Sequence, residues 1–180
     1  MDNIGWLVGI LEGEGCFSLA RGMKGKRYFN VTVSIINTDI LIISECKKII
    51  DGITGGNCKI RKHSKPSQFK QCYKLVVEGF DIVKKLLQVV TPYIIGNKKP
   101  EANLILDFVT RRININGNKK KRPHYTYEDE KYILAYQALK NESVETIRSL
   151  PHVGNDIVRT DDINKTSELS RNRIAPFITE

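Results

Sequence analysis

The run Ile4-Gly5-Trp6-Leu7-Val8-Gly9-Ile10-Leu11-Glu12-Gly13-Glu14-Gly15-Cys16-Phe17-Ser18 decides how the rest of the chain reads. Ile4, Leu7, Val8 and Leu11 recur with a period of 3.6, which predicts a helix over Ile4–Gly13, with Asp2 or Asn3 capping its start. Gly5, Gly9 and Gly13 fall four apart on a second face. A glycine inside a helix costs about 0.5–1 kcal/mol, so three in a row call for compensation. Close approach of another backbone along that face supplies it. Gly15 ends the helix. Glu12 and Glu14, two apart, do not share a helix face, so they are a poor pair for glycosidic acid–base work. Glu12 reads as a solvated or packing-edge charge. Glu14 falls in the last turn, where the helix dipole disfavours a carboxylate by about 0.3–1 kcal/mol. A divalent cation reverses that penalty, and Mg²⁺ binds through one or two carboxylates, waters and phosphate oxygens. Glu14 is therefore a candidate metal ligand.

Outward from this run, Cys16–Ala20 and Tyr28–Ile36 read as strands joined by a basic turn at Arg21–Arg27. In the second strand Phe29, Val31, Val33 and Ile35 face one way, and Tyr28, Asn30, Thr32 and Ser34 the other. A helix follows over Asp39–Ile50, with turns at Asp51-Gly52 and Gly55-Gly56. Asn57–His63 and Phe69–Glu78 form a second hairpin around a Ser64–Ser67 loop. Phe80–Val90 and Pro100–Ile113 are further helices. Helix, two strands, helix, two strands, helices predicts an α+β fold: an antiparallel four-stranded sheet with helices on one face. Past Asn116-Gly117-Asn118 comes a basic cluster, Lys119–Arg122, which either grips a phosphate backbone or forms a solvated turn. Thr126 can cap a helix over Tyr127–Leu139, and Ser143–Leu150 a shorter one. The expected division is a core over 1–116 and a basic hinge with a helical extension over 117–180.

The 180 residues are ordinary in hydrophobic (41%) and charged (27%) content, enough to bury a core without a staple. Twenty-nine basic residues against 20 acidic ones give +9, which favours a polyanionic partner. The excess is local: Ile53–Val77 contains no acid, and six lysines or arginines. Cys16, Cys46, Cys58 and Cys72 form no CxxC pair, which argues against a zinc finger or redox dithiol and fits a reducing, intracellular compartment. Charges interrupt every long apolar run, and the N-terminus lacks a positive flank, so neither a membrane span nor a signal peptide is expected. Bacterial cytoplasm, phage-infected cell and organelle are equally compatible. His63, His124 and His152 have no mutual ligand spacing.

Leu7-Val8-Gly9-Ile10-Leu11-Glu12-Gly13-Glu14-Gly15 resembles the signature of the LAGLIDADG homing endonucleases. It is identical at Leu7, Gly9 and Gly15 and conservative at Val8, Ile10 and Leu11, with Glu12 and Glu14 replacing two aspartates. Cys16-Phe17-Ser18, Asn37-Thr38-Asp39 and Gly96-Asn97-Lys98-Lys99-Pro100-Glu101-Ala102-Asn103 follow in the family's order, so the resemblance covers about residues 4–113.

The resemblance implies the following. One motif copy implies a homodimer whose first helices cross along Gly5, Gly9 and Gly13, bringing together one Glu14 from each subunit. The sheets lie in the major groove of double-stranded DNA with a long pseudo-palindromic site. Candidate contacts are Ser18, Arg21, Tyr28, Asn30, Thr32, Ser34, Lys59, Arg61, His63, Gln68, Lys70 and Lys74. The expected activity is divalent-metal-dependent, site-specific hydrolysis of both strands, with Mg²⁺, or Mn²⁺ in its place, held by Glu14 and the Gly13 carbonyl. Lys98 takes the family's basic position, to polarise phosphate or orient water, with Lys99 as the alternative. Asn37 stands where relatives often carry Gln and would hold an ordered water. The competing function is a noncatalytic binder on the same fold, either a DNA-binding regulator or an intron-splicing maturase, the one case that calls for RNA. An acid at 14 and a base near 98 favour cleavage, because a pure binder gains nothing from an anion beside phosphate. A structural dimer with an incidental basic face would leave the glycines and Glu14 unexplained.

Overall fold

A computed structural model describes residues 3–21, 29–56, 58–63, 70–116 and 126–149, without side chains at 116 and 143–149. The elements run α1 (Asn3–Glu14), β1 (Gly15–Arg21), β2 (Phe29–Asn37), α2 (Ile40–Thr54), β3 (Lys59–His63), β4 (Cys72–Glu78), α3 (Phe80–Val90), α4 (Lys98–Asn116) and α5 (Tyr127–Ser149), with a short 3₁₀ turn at Thr91–Tyr93. The four strands form one antiparallel sheet in the order β1-β2-β4-β3.

Helix α1 passes into β1 without a connecting residue. A Cβ at Gly15 would lie 2.4 Å from the Leu11 carbonyl oxygen, so only glycine permits this junction. Leu7, Val8 and Leu11 are buried, while Ile4 packs at the edge of the core. The alternation of β2 holds: Phe29, Val31, Val33 and Ile35 enter the core with Phe17, Leu19, Leu75 and Val77 of the neighbouring strands. Helices cover that face through Ile43, Cys46 and Ile50 of α2, Val83, Leu86 and Leu87 of α3, and Ile105, Phe108 and Val109 of α4. The Phe108 ring meets Phe29 and Phe80 edge-on, at centroid distances of 5.2 and 6.0 Å.

Helix α2 runs past the expected turn at Asp51-Gly52. Asp51 stays helical and accepts the Cys58 N–H at 3.3 Å, and Thr54 donates back to the Ile50 carbonyl at 2.8 Å. The helix stops at Gly55, whose φ of 88° lets its N–H and that of Gly56 bond the Asp51 carbonyl. Burial raises the thiol pKa of Cys46 to about 11 and that of Cys58 to about 12. These two behave as core residues, whereas Cys16 is exposed.

The two helices expected after Thr126 are one, Tyr127–Ser149. Asp129 accepts from the Thr126 N–H (2.9 Å) and hydroxyl (2.8 Å), and the Thr126 hydroxyl oxygen faces the Asp129 N–H at 3.3 Å. The same fully buried carboxylate pairs with Arg111 at 2.5 Å and Arg112 at 2.9 Å. Farther along, Ile133 is buried, Tyr136 donates to the Phe17 carbonyl of edge strand β1 at 2.6 Å, and Lys140 pairs with Glu101 of α4 at 2.5 Å. Helix α5 thus covers β1 and α4. The backbone up to residue 146 forms one compact unit, and a second begins at residue 147. Of the second, residues 147–149 end α5 and the rest lies outside the described residues, as do Lys119–Arg122, His124 and His152. No described helix is long and apolar enough to cross a membrane.

Candidate active site and nucleic-acid interface

Two polar contacts tie the end of α1 to the start of α4. The Glu12 carboxylate accepts the backbone N–H groups of Ile95 at 2.8 Å and Gly96 at 2.9 Å. In return the Lys98 ammonium donates to the carbonyls of Leu11 at 3.0 Å and Glu12 at 2.7 Å. An anion thus sits before the N-terminus of α4 and a cation at the C-terminus of α1, each complementing the helix dipole. Burial pulls the Lys98 pKa below the usual lysine range, and Glu12 partly restores it. A Cβ on Gly96 would come within 2.6 Å of the Glu12 carboxylate, so the contact also needs glycine there.

Glu12, partly exposed, does more than sit at a packing edge: it holds the segment that carries Lys98. With it so engaged, Glu14 is left exposed, and among the described residues no side chain pairs with its carboxylate. Glu14 immediately precedes Gly15, which pairs with Ile35 in the sheet. The candidate metal carboxylate therefore stands where α1 enters the sheet, beside the lysine-capped helix end. Among the described residues no three His, Cys, Asp or Glu side chains gather as a metal cage. One exposed carboxylate fits a Mg²⁺ ion that takes its other ligands from water and phosphate.

The Glu12 contact predicts a graded fall in stability. Glu12→Ala removes the acceptor of two N–H groups and is expected to cost about 1 kcal/mol in urea unfolding, the net worth of an ordinary hydrogen bond, because the site is partly exposed. Glu12→Gln keeps a carbonyl acceptor and is expected to cost less. An equal cost in both variants would mean that charge alone carries the contact.

The register sorts the remaining candidates by face. Directly paired residues point the same way. Ser18 pairs with Thr32, Arg61 with Lys74, and Lys59 with Val76; Asn30 pairs with Ala20 and His63 with Cys72. All lie on the face opposite the helices, with Ser34 between Cys16 and Val76. Lys59 and Asn30 are exposed, and Ser34 is buried. Lys70 is exposed just before β4, and Tyr28 and Gln68 lie outside the described residues.

Two candidates stand elsewhere. Arg21 pairs with Phe29 on the helix-side parity, and its guanidinium engages Glu130 of α5. Asn37 pairs with Tyr73, also on the helix-side parity, and its side-chain oxygen accepts the Asp39 N–H at 2.8 Å, bracing the entry to α2. Asp39 in turn caps α2 through the Leu41 N–H at 2.8 Å. Asn37 thus braces a helix entry, and a water held by its side chain is what the family resemblance implies for it. Along α1, Gly5, Gly9 and Gly13 are all exposed, and a Cβ at Gly9 or Gly13 would meet nothing within 4 Å.

Solved structures with this fold are known. Homing endonuclease I-CvuI, crystallised with the I-CreI target, superposes with a TM-score of 0.54 at 13% identity over 96% of both chains. The archaeal intron-encoded homing endonuclease I-Vdi141I, complexed with DNA, gives 0.57 at 18% identity over 94% of both. The LAGLIDADG meganuclease I-AabMI, bound to uncleaved DNA, gives 0.53 at 16% identity, and this chain spans 53% of it. The fold is the LAGLIDADG endonuclease fold. No family model and no curated protein matches the sequence.

Proposed function

We propose that this chain is a site-specific, divalent-metal-dependent DNA endonuclease that acts as a homodimer on a long pseudo-palindromic duplex. The observation that carries this reading is the placement of Glu14. It is an exposed carboxylate at the point where the open glycine face of α1 passes into a sheet whose outer face carries Lys59, Arg61 and Lys74. The likeness to endonucleases solved on DNA supports the same reading.

In this reading the glycine faces of two copies cross, and each copy delivers one Glu14. Residues 1–116 carry binding and cleavage, and 117–180 extend them. The Glu14 carboxylate and the Gly13 carbonyl hold Mg²⁺. An ion held by these two groups would supply Lewis-acid chemistry: activation of a water and neutralisation of charge at the leaving 3′ oxygen. Lys98 uses two of its three N–H donors on α1 carbonyls, leaving the third to polarise the phosphate or orient water. Arginine on the sheet reads guanine and asparagine reads adenine, while lysine neutralises phosphate.

The test is cleavage of a plasmid library of randomised or genomic inserts with Mg²⁺, with the cut ends mapped. Linear products with ends at one sequence are expected. Tight sequence-specific binding without cutting by folded protein would replace the nuclease with a noncatalytic binder. A narrower expectation concerns Lys59, which is exposed on the outer face. Lys59→Gln is expected to weaken DNA binding and to flatten the plot of log affinity against log salt by about one counterion for each phosphate the lysine neutralised. An unchanged slope and affinity would take Lys59 out of the interface.

A further inference from the structure

The outer face of the sheet carries one acid among its described residues, Glu78, opposite Thr32 at the end of β4. Its carboxylate lies 3.6 Å from the Arg61 guanidinium, and the side chains are 47% and 57% exposed. Arg61 itself pairs with Lys74, so the ion pair spans the position of Val76 on an interior strand. An exposed pair of this length contributes little to stability. On a face that binds a polyanion, a carboxylate is repulsive unless it finds a donor. The major groove has one base edge that a carboxylate reads well, the N4 amino group of cytosine.

We infer that Glu78 and Arg61 together read one C·G base pair. From cytosine to guanine, that pair shows a donor (N4–H) and then two acceptors (O6 and N7). A carboxylate beside a guanidinium offers the complement, an acceptor followed by two donors. A T·A pair alternates acceptor, donor, acceptor and leaves the carboxylate facing an oxygen. The fixed places of Glu78 and Arg61 on β4 and β3 set which strand carries the cytosine. This assignment rests on the proposed DNA-binding face and adds to it the identity of one base pair in each half-site.

The experiment is selection of the full chain on a randomised duplex library in Ca²⁺, with melting temperatures to verify folding. The wild type is expected to enrich a site with C·G at one pair in each half. Glu78→Gln is expected to lose about tenfold or more of the discrimination at that pair while keeping the other positions. Arg61→Lys is expected to relax the same pair, because lysine lacks the paired donors. A Glu78→Gln protein that enriches the same sequence with the same strength overturns the assignment. So does a uniform loss across all positions, which would mark Glu78 as a brace for Arg61. A wild type that enriches no sequence overturns the DNA-binding reading itself.

Discussion

Glu14→Gln in both subunits is expected to abolish plasmid cutting while DNA binding persists. The side chain keeps its volume, and Glu14 is exposed without a side-chain partner among the described residues, so the fold loses nothing. What disappears is the charge proposed to hold Mg²⁺ beside the phosphate. Affinity is expected to hold or rise slightly, because one negative charge per subunit leaves a surface that binds a polyanion. Supercoiled-plasmid cleavage and DNA binding measured on the same samples check this. Glu12 supplies the control. Its carboxylate is turned to the Ile95 and Gly96 N–H groups, and Glu12→Gln keeps an acceptor for them, so cutting is expected to survive. A mixed dimer with one Glu14→Gln subunit separates two arrangements: nicking of one strand means independent sites, and near-complete loss means a shared central metal. Full double-strand cutting by the doubly substituted protein would eliminate Glu14 as the required carboxylate.

The second large effect concerns assembly. Gly9→Leu is expected to convert the proposed dimer to a folded monomer. Within one chain, a Cβ at Gly9 meets nothing within 4 Å, so the isolated fold has room for a larger side chain. Leucine also favours the helix over glycine by roughly 0.5–1 kcal/mol. Between two α1 helices in backbone contact, the same side chain has no space, and overpacking forces them apart. Light scattering is expected to show half the mass of the wild type, with an unchanged helical circular dichroism signal. An unaltered dimer would place the interface elsewhere. A monomeric wild type would remove the compensation inferred for Gly5, Gly9 and Gly13. Cutting is expected to fall with dissociation, since each subunit supplies one Glu14.

Much of the fold was legible because the backbone imposes its own period. The α1 stripe, the alternation of β2 and the span Phe80–Val90 of α3 follow from apolar spacing alone. Local signals misled where a tertiary contact outweighed them. Asp51-Gly52 reads as a turn, yet the helix continues because Asp51 accepts the Cys58 N–H and Thr54 anchors to Ile50. After Thr126 the sequence predicts two helices, Tyr127–Leu139 and Ser143–Leu150, and contacts with β1 and α4 accompany a single one.

The candidate site divides along the same line. From the sequence came the glycine row, the carboxylate at residue 14, the acid-free basic window and the face on which Asn30 and Thr32 stand, all legible in neighbouring residues. The tertiary structure alone decided the partner of each polar group. Glu12 holds N–H groups 83 and 84 residues away, Asp129 takes two arginines from α4, and Arg21 turns to α5. Glu78 became notable once the register placed it on the outer face. A period is a property of the local backbone and is written in neighbouring residues. A hydrogen-bond partner is set by which surfaces the packed core brings within about 3 Å, and no local pattern encodes that.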